Sequence, residues 1–294
     1  MQDKKAFFAL ILTVLVWGSS FAAIKVVLDE ISPLGLSFLR SLLATVALLS
    51  LVGFAEGFVR LKKALREKFC YFIFLGATGV ALFNILQNIG IQHTFSGVAS
   101  VLLATNPIFV LLLGAIFLQE RIRSKKLFGI LLGFSGCALI IFGGKNITSF
   151  FLSGSFGGNL LVLLSALCWG LYVIMNKKIL GEYSPLLLTT SAFIFGSLLL
   201  FLPYLFSYDV SLFLIISPAC WLLVIYLGFI SSGLTYLLWN YALKRLEASR
   251  ASVFLFLVPV VAIILGKVLL AEKITLSIVT GAPLVFLGIY LVER

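Results

Sequence analysis

The chain has 294 residues, of which 62% are hydrophobic and only 11% charged, with a formal net charge of +11. A soluble domain is about half apolar and about a quarter charged, so this chain cannot cover itself with polar surface and its solvent must be lipid. The positive charge sits in alternate loops, which argues for membrane topology and against a nucleic-acid partner.

Ten apolar runs follow one another, near 6–28, 34–54, 70–91, 97–118, 127–143, 158–179, 185–206, 218–241, 249–271 and 275–292. Each is about 20 residues, enough to span a bilayer about 30 Å thick. No other segment is long enough to be a separate soluble domain. The first run imitates a signal peptide, with Lys4-Lys5, an apolar stretch and Ser20-Phe21-Ala22-Ala23. Cleavage is not expected, because this region recurs 152 positions later: Trp17 matches Trp169, Gly18 matches Gly170, and Ser32-Pro33-Leu34 matches Ser184-Pro185-Leu186.

The same ungapped offset pairs Leu75-Gly76 with Leu227-Gly228, Asn88 with Asn240, Pro107 with Pro259, Gly114 with Gly266, and Glu120 with Glu272. The chain is therefore expected to be two repeats, residues 1–145 and 158–294, joined by a Gly- and Ser-rich linker, 146–157. Five spans per repeat is an odd number, so the second copy lies inverted in the membrane, as in many secondary transporters. The expected fold is an all-α polytopic membrane protein of ten transmembrane helices, arranged as two inverted five-helix repeats around a central cavity.

Most of the 22 Lys and Arg fall at Lys4, Lys5, Arg60, Lys62, Lys63, Arg66, Lys68, Arg121, Arg123, Lys125, Lys126, Lys177, Lys178, Lys244, Arg245, Arg250 and Arg294. The intervening loops hold only Lys25, Arg40, Lys145, Lys267 and Lys273. By the positive-inside rule both termini lie in the cytoplasm. The basic loops also offer contact to anionic lipid. The four cysteines lie in apolar runs with no paired spacing, so neither disulfides nor metal sites are expected.

Polar groups recur inside the spans. Thr13, Trp17, Ser20 and Ile24 share a helical face, as do Ser165, Trp169, Tyr172 and Asn176. The third span offers Asn84, Gln87 and Asn88, and the eighth offers Tyr236, Trp239 and Asn240. Amides facing hydrocarbon would cost of order several kcal/mol each, so these groups face protein or a wet cavity. Either hydrogen bonds between helices or contacts to a solute account for any single one. As a set they point to a cavity bounded by spans 1, 3, 4, 6, 8 and 9, with Asn106 added from span 4. The candidate solute-binding residues are Trp17, Ser20, Asn84, Gln87, Asn88, Asn106, Trp169, Tyr172, Asn176, Tyr236, Trp239 and Asn240.

Pro107 and Pro259 fall mid-span, freeing the carbonyls of Leu103 and Leu255. They are either static kinks or hinges beside a binding site. Glu120 and Glu272 close spans 4 and 9, each followed by a base, and are candidates for helix capping, surface ion pairing or a gate. Lys25 and Arg40 could meet a carboxylate, the alternative being ion pairs with Asp29 or Glu30.

These features resemble the EamA family, the ten-helix branch of the drug/metabolite transporter superfamily. The resemblance rests on Trp17-Gly18-Ser19-Ser20-Phe21 with Lys25, on Ser32-Pro33 and Arg40, on the stretch from Ala99 through Pro107 to Glu120, and on the duplication of this plan. It covers essentially the whole chain. It implies movement of small organic metabolites, often amino acids or their relatives, usually outward across the bacterial inner membrane. One departure concerns coupling. The four-helix small multidrug relatives carry a membrane-embedded glutamate in helix 1, whereas no acidic residue lies between Lys4 and Asp29 here.

No catalytic constellation, metal spacing or Walker-type glycine loop is present, so neither an enzyme nor a cofactor is expected. The expectation is a secondary transporter of neutral, zwitterionic or anionic metabolites working by alternating access, and an exporter by resemblance. A passive facilitator or channel of the same fold is the alternative, and a membrane enzyme or sensor a more distant one. The expected partners are a small solute and membrane lipid. The oligomeric state is left open, and a monomer is admitted.

Overall fold

The structure, a computed structural model, describes residues 4–93, 99, 102–142, 156–207, 216–261 and 276–293. The predicted spans appear as helices α1 (Lys4–Val27), α2 (Pro33–Ala55), α3 (Phe69–His93), α4 (Asn106–Phe117), α5 (Ser124–Phe142), α6 (Phe156–Ile179), α7 (Pro185–Leu205), α8 (Pro218–Leu243), α9 (Ala248–Val261) and α10 (Leu276–Glu293). Among the described residues there is no strand. Glu272 and the linker residues 146–155 lie outside the described residues.

Local chemistry sets the helix starts. Ser32, Ser184 and Ser217 each precede a proline, and each hydroxyl accepts a backbone N–H three residues on. The proline needs no N–H partner there, and the serine satisfies one that would otherwise be lost. Ser32 and Ser184 are equivalent residues, so the same cap opens α2 and α7. The segment between α2 and α3, read as a basic loop from the sequence, forms a short helix, Phe58–Glu67. It is amphipathic. Leu61 and Ala64 are buried, while Arg60, Lys62, Lys63 and Arg66 alternate with them. Such a helix suits the membrane interface.

The outside of the bundle is apolar. Phe8, Phe54, Ile116, Phe128, Phe156 and Leu222 are exposed, while Asn84, Asn88, Asn176 and Asn240 are buried. This inversion of the soluble pattern places lipid around the helices and the polar groups within.

The two repeats meet about a two-fold axis. Trp17 and Trp169, equivalent residues, touch edge-to-face at 5.1 Å. Thr45 and Ser197, also equivalent, are hydrogen-bonded at 2.9 Å between α2 and α7. Helices α5 and α10 pack backbone to backbone: a Cβ on Gly129 would lie 2.8 Å from the Gly288 carbonyl oxygen, and one on Gly136 would lie 2.8 Å from that of Gly281. Close approach of small residues is how membrane helices associate tightly.

Several long helices are irregular at matched places. Helix α3 contains a π-helical stretch at Ala77–Leu82, and α8 one at Tyr226–Leu234. Such stretches are rare and concentrate at functional sites. The two prolines lie beside breaks rather than within continuous helices. Thr105 stands at the N-cap position of α4, immediately before Asn106-Pro107, with its hydroxyl donated back to the Leu102 carbonyl. Helix α9 tightens to 3-10 geometry at Val253–Phe256 before it reaches Pro259. The expected mid-helix kinks are thus short interruptions, with Pro107 in a first turn where its missing N–H costs nothing.

Candidate functional site: a cavity between the repeats

A cavity of about 60 Å³ lies between the repeats. One water needs about 10–15 Å³ on the same measure, so there is room for several waters or for part of a small solute. The walls come from α1 (Trp17, Ser20, Phe21, Ile24), α3 (Phe83, Gln87), the α4 break (Leu103, Ala104, Asn106), α6 (Trp169), α8 (Tyr236) and α9 (Leu255, Val258, Pro259). These are the six spans anticipated from the polar pattern. The seventh contributor is Arg40 of α2.

An aromatic cluster forms the floor. The Trp169 ring lies 5.3 Å from Tyr236, 5.5 Å from Trp239 and 5.1 Å from Phe83. Trp17 is held in place by its indole N–H, which donates to Thr235 Oγ1 at 2.8 Å and to the Ser231 carbonyl at 3.0 Å. Tyr236 donates its hydroxyl to the Gly79 carbonyl at 2.9 Å, inside the π-helical stretch of α3.

Trp17, Ser20, Gln87, Asn106, Trp169 and Tyr236, singled out from the sequence, line the cavity. Pro259, and both Leu103 and Leu255, also reach it. The other six candidate residues do not line it. Asn88 donates to Ser37 Oγ at 2.9 Å, and its equivalent Asn240 donates to Thr189 Oγ1 at 2.9 Å. Ser37 and Thr189 are themselves equivalent, so this is one tie between neighbouring helices made twice. Asn240 also donates to the Tyr172 hydroxyl at 3.0 Å, and Asn176 to the Tyr172 carbonyl at 3.1 Å. Asn84 donates to the Val80 carbonyl at 2.7 Å. Trp239 is fully buried behind the floor, 5.6 Å from Trp17. The physical reason is helix rotation: the period of 3.6 residues lets amides on one span face either the cavity or a neighbouring helix.

Of the two readings of Arg40, the structure excludes the ion-pairing one. Arg40 makes no ion pair with Asp29 or Glu30. Glu30 instead accepts the backbone N–H and the hydroxyl of Ser217, which hold its carboxyl below the usual range. Arg40 is 4% exposed, and its Nε donates to Ser232 Oγ at 2.9 Å. A lone arginine in an apolar span was the one signal that could have put it on the site list.

The end of the bundle that carries the N-terminus is tied across the repeats. Glu120, in the loop after α4, accepts the Ala248 N–H at 2.9 Å and the Ser249 hydroxyl at 2.5 Å, capping the start of α9. Lys126 donates to Glu247 at 2.7 Å and to Ser249 at 2.8 Å. The Lys126 hydrogen bond holds the Glu247 carboxyl below its ordinary range, helped by the charges of Lys126, Arg250 and Arg123 and opposed by burial. Lys177 donates to the Leu243 and Leu246 carbonyls at 2.8 and 2.7 Å, closing the end of α8. Arg121, the base next to Glu120 in sequence, is not its partner; Lys126, 3.9 Å away, is nearest. Among the described residues no group of His, Cys, Asp and Glu could hold a metal ion, and the four cysteines are free.

A family model for EamA-like transporters matches the chain twice, over residues 4–142 and 156–294. The chain belongs to the EamA-like transporter family. Family relatives span its full length. An "uncharacterized transporter" of Archaeoglobus fulgidus is 38% identical, covering 99% of both chains. A "probable terminal-alkyne amino-acid exporter" of Streptantibioticus cattleyicolor is 32% identical, over 100% of this chain and 95% of its own. A "probable amino-acid metabolite efflux pump" of Salmonella typhimurium is 31% identical, over 99% and 95%. A crystal structure at 18% identity superposes with a TM-score of 0.80 over 99% of this chain and 96% of that one, which shows the shared fold. The protein is thus a multi-pass membrane transporter of a small solute, and not an enzyme.

Proposed function

We propose that the protein exports small amino-acid-like metabolites across the cytoplasmic membrane by alternating access. The observation that carries this is a cavity walled by both repeats and sealed at one end by ties between them. Helices broken beside a central site are the recurrent architecture of such carriers. The names of two relatives, a "probable terminal-alkyne amino-acid exporter" and a "probable amino-acid metabolite efflux pump", support the solute class and direction. The sealed end carries the basic loops and is the cytoplasmic one by the positive-inside rule, so both termini lie inside. The repeats are residues 1–145 and 158–294, with 146–157 as the linker. The cavity residues Trp17, Ser20, Gln87, Asn106, Trp169 and Tyr236 contact the solute. Pro107, Pro259 and Glu120 belong to the moving parts, with Glu272 as the counterpart of Glu120. The buried residues Asn84, Asn88, Tyr172, Asn176, Trp239 and Asn240 hold the wall in place.

Proteoliposomes loaded with the twenty common amino acids test this. Release of at least one, accelerated by the same compound outside, is the expected outcome. Release without such acceleration indicates a facilitator, and no release by active protein removes the proposal.

A further inference from the structure

The cavity contains a positive charge with no counter-ion among the described residues. Arg40 is buried, lines the cavity, and has one nitrogen, Nη1, with no partner among the described residues. Among the described residues its one hydrogen bond goes to the neutral hydroxyl of Ser232. No acidic residue stands among those lining the cavity, and none of the described ion pairs includes Arg40. An isolated guanidinium held out of water costs several kcal/mol unless an anion joins it. Two further cavity residues carry unpartnered polar atoms: the Trp169 indole N–H, a donor, and Asn106 Oδ1, an acceptor. All three side chains are at least nine-tenths buried.

We infer that Arg40 is the carboxylate-binding residue of the cavity, and that a carboxylate is the feature a solute must have. This rests on the transport function proposed above and names its substrate class. Arg40 supplies the fixed charge, in the fork geometry that suits a carboxylate. The indole N–H of Trp169 adds a donor. An ammonium group on the same solute meets no carboxylate there, only neutral acceptors on Asn106, Gln87 and Ser20, and aromatic faces. The two ends of an amino acid are therefore read unequally: the carboxylate is required, and the ammonium is dispensable. The corresponding place in the second repeat is Ala192, so the charge belongs to one wall alone.

The test uses proteoliposomes loaded with equimolar amino acids, their 2-hydroxy acid analogues and their carboxamides, with release followed by mass spectrometry. Amino acids and hydroxy acids are expected to leave at rates within about threefold of each other, and amides at least tenfold more slowly. Arg40→Gln is expected to slow the acids at least tenfold, and an unfolding midpoint in detergent close to that of the unaltered protein shows that the variant is folded. Arg40→Lys restores part of the acid rate. Release of amides as fast as acids by the unaltered protein overturns the inference, and would mean that an inorganic anion neutralises Arg40. That result stands even if Arg40→Gln fails to fold. Release of none of the three classes removes the transport proposal itself and leaves a separate signature.

Discussion

Tyr172 and Ser20 occupy equivalent positions in the two repeats, and the sides of the axis they face are packed differently. Tyr172 is fully buried, and a Cβ on Gly79 would lie 2.0 Å from its ring. The bulk of the tyrosine is matched by the absence of a side chain opposite. The counterpart pair is Ser20 and Ser231, and Ser20 borders empty space. A symmetric backbone thus carries an asymmetric filling. One half-cavity is stoppered by a ring, and the other is left open and lined with Arg40, Gln87 and Asn106. The equivalents of those three are Ala192, Trp239 and Val258. The shared helices set where a cavity can be, and the unshared side chains set which side of the axis holds it and which groups line it.

The largest effects are expected from exchanging the fillings. Gly79→Ala forces the Tyr172 ring to move and should cost about 1–3 kcal/mol, read as a lower unfolding midpoint in detergent. Ser20→Phe fills the open side instead. It should reduce release from proteoliposomes at least tenfold with no loss of folded protein. If Ser20→Phe transports normally, the open side is not the solute site.

A smaller difference separates the duplicated amides. Asn240 donates to two side chains and Asn88 to one. Each such bond within a membrane contributes about 0.6 kcal/mol, so Asn240→Ala should destabilise roughly twice as much as Asn88→Ala. Equal losses would mean that the second bond, to Tyr172, contributes nothing.

The smallest effect concerns the tied end. The Glu247 carboxyl is half-exposed and held below its ordinary value of 4.5. Its tie to Lys126 is therefore complete above about pH 4.5 and is lost as the pH falls further. Glu247→Gln should change stability by less than about 1 kcal/mol at pH 7, because exposed ion pairs are weak. The variant and the unaltered protein should converge in acid. A difference that persists well below pH 4 would show that the carboxylate charge is not what holds this end.

Ten spans, their inversion and the six cavity helices were legible from apolar run length and from the ungapped repeat. The division of the polar residues was legible only in part. Asn88 and Asn240 recur because the tie to Ser37 and Thr189 recurs, and duplication marked them as architecture. Gln87 and Asn106, which have no amide as their equivalent, face the cavity. Asn84 follows the same rule and still turns away, because its amide bonds its own helix at Val80. Arg40 was left with two readings for a related reason. Sequence shows that a charge lies in α2 and cannot show whether it reaches along the helix to Asp29 and Glu30 or across it to α8. The breaks at Thr105 and Val253–Phe256 depend on how neighbouring turns tighten, which proline position alone leaves open.

The contacts on the two-fold axis have a further consequence. Gly129 meets Gly288, and Gly136 meets Gly281; each pair is the other with its partners exchanged. Thr45 meets its own counterpart, as does Trp17. Reciprocity of this kind is the mark of an isologous dimer interface. The single chain thus carries the contact pattern of two identical protomers related by a two-fold axis. Two separate copies would need no bias in their loop charges, since each must enter both ways. Once joined they enter together, and only then can the two halves of the interface diverge, one keeping a charge and the other filling its half with a ring.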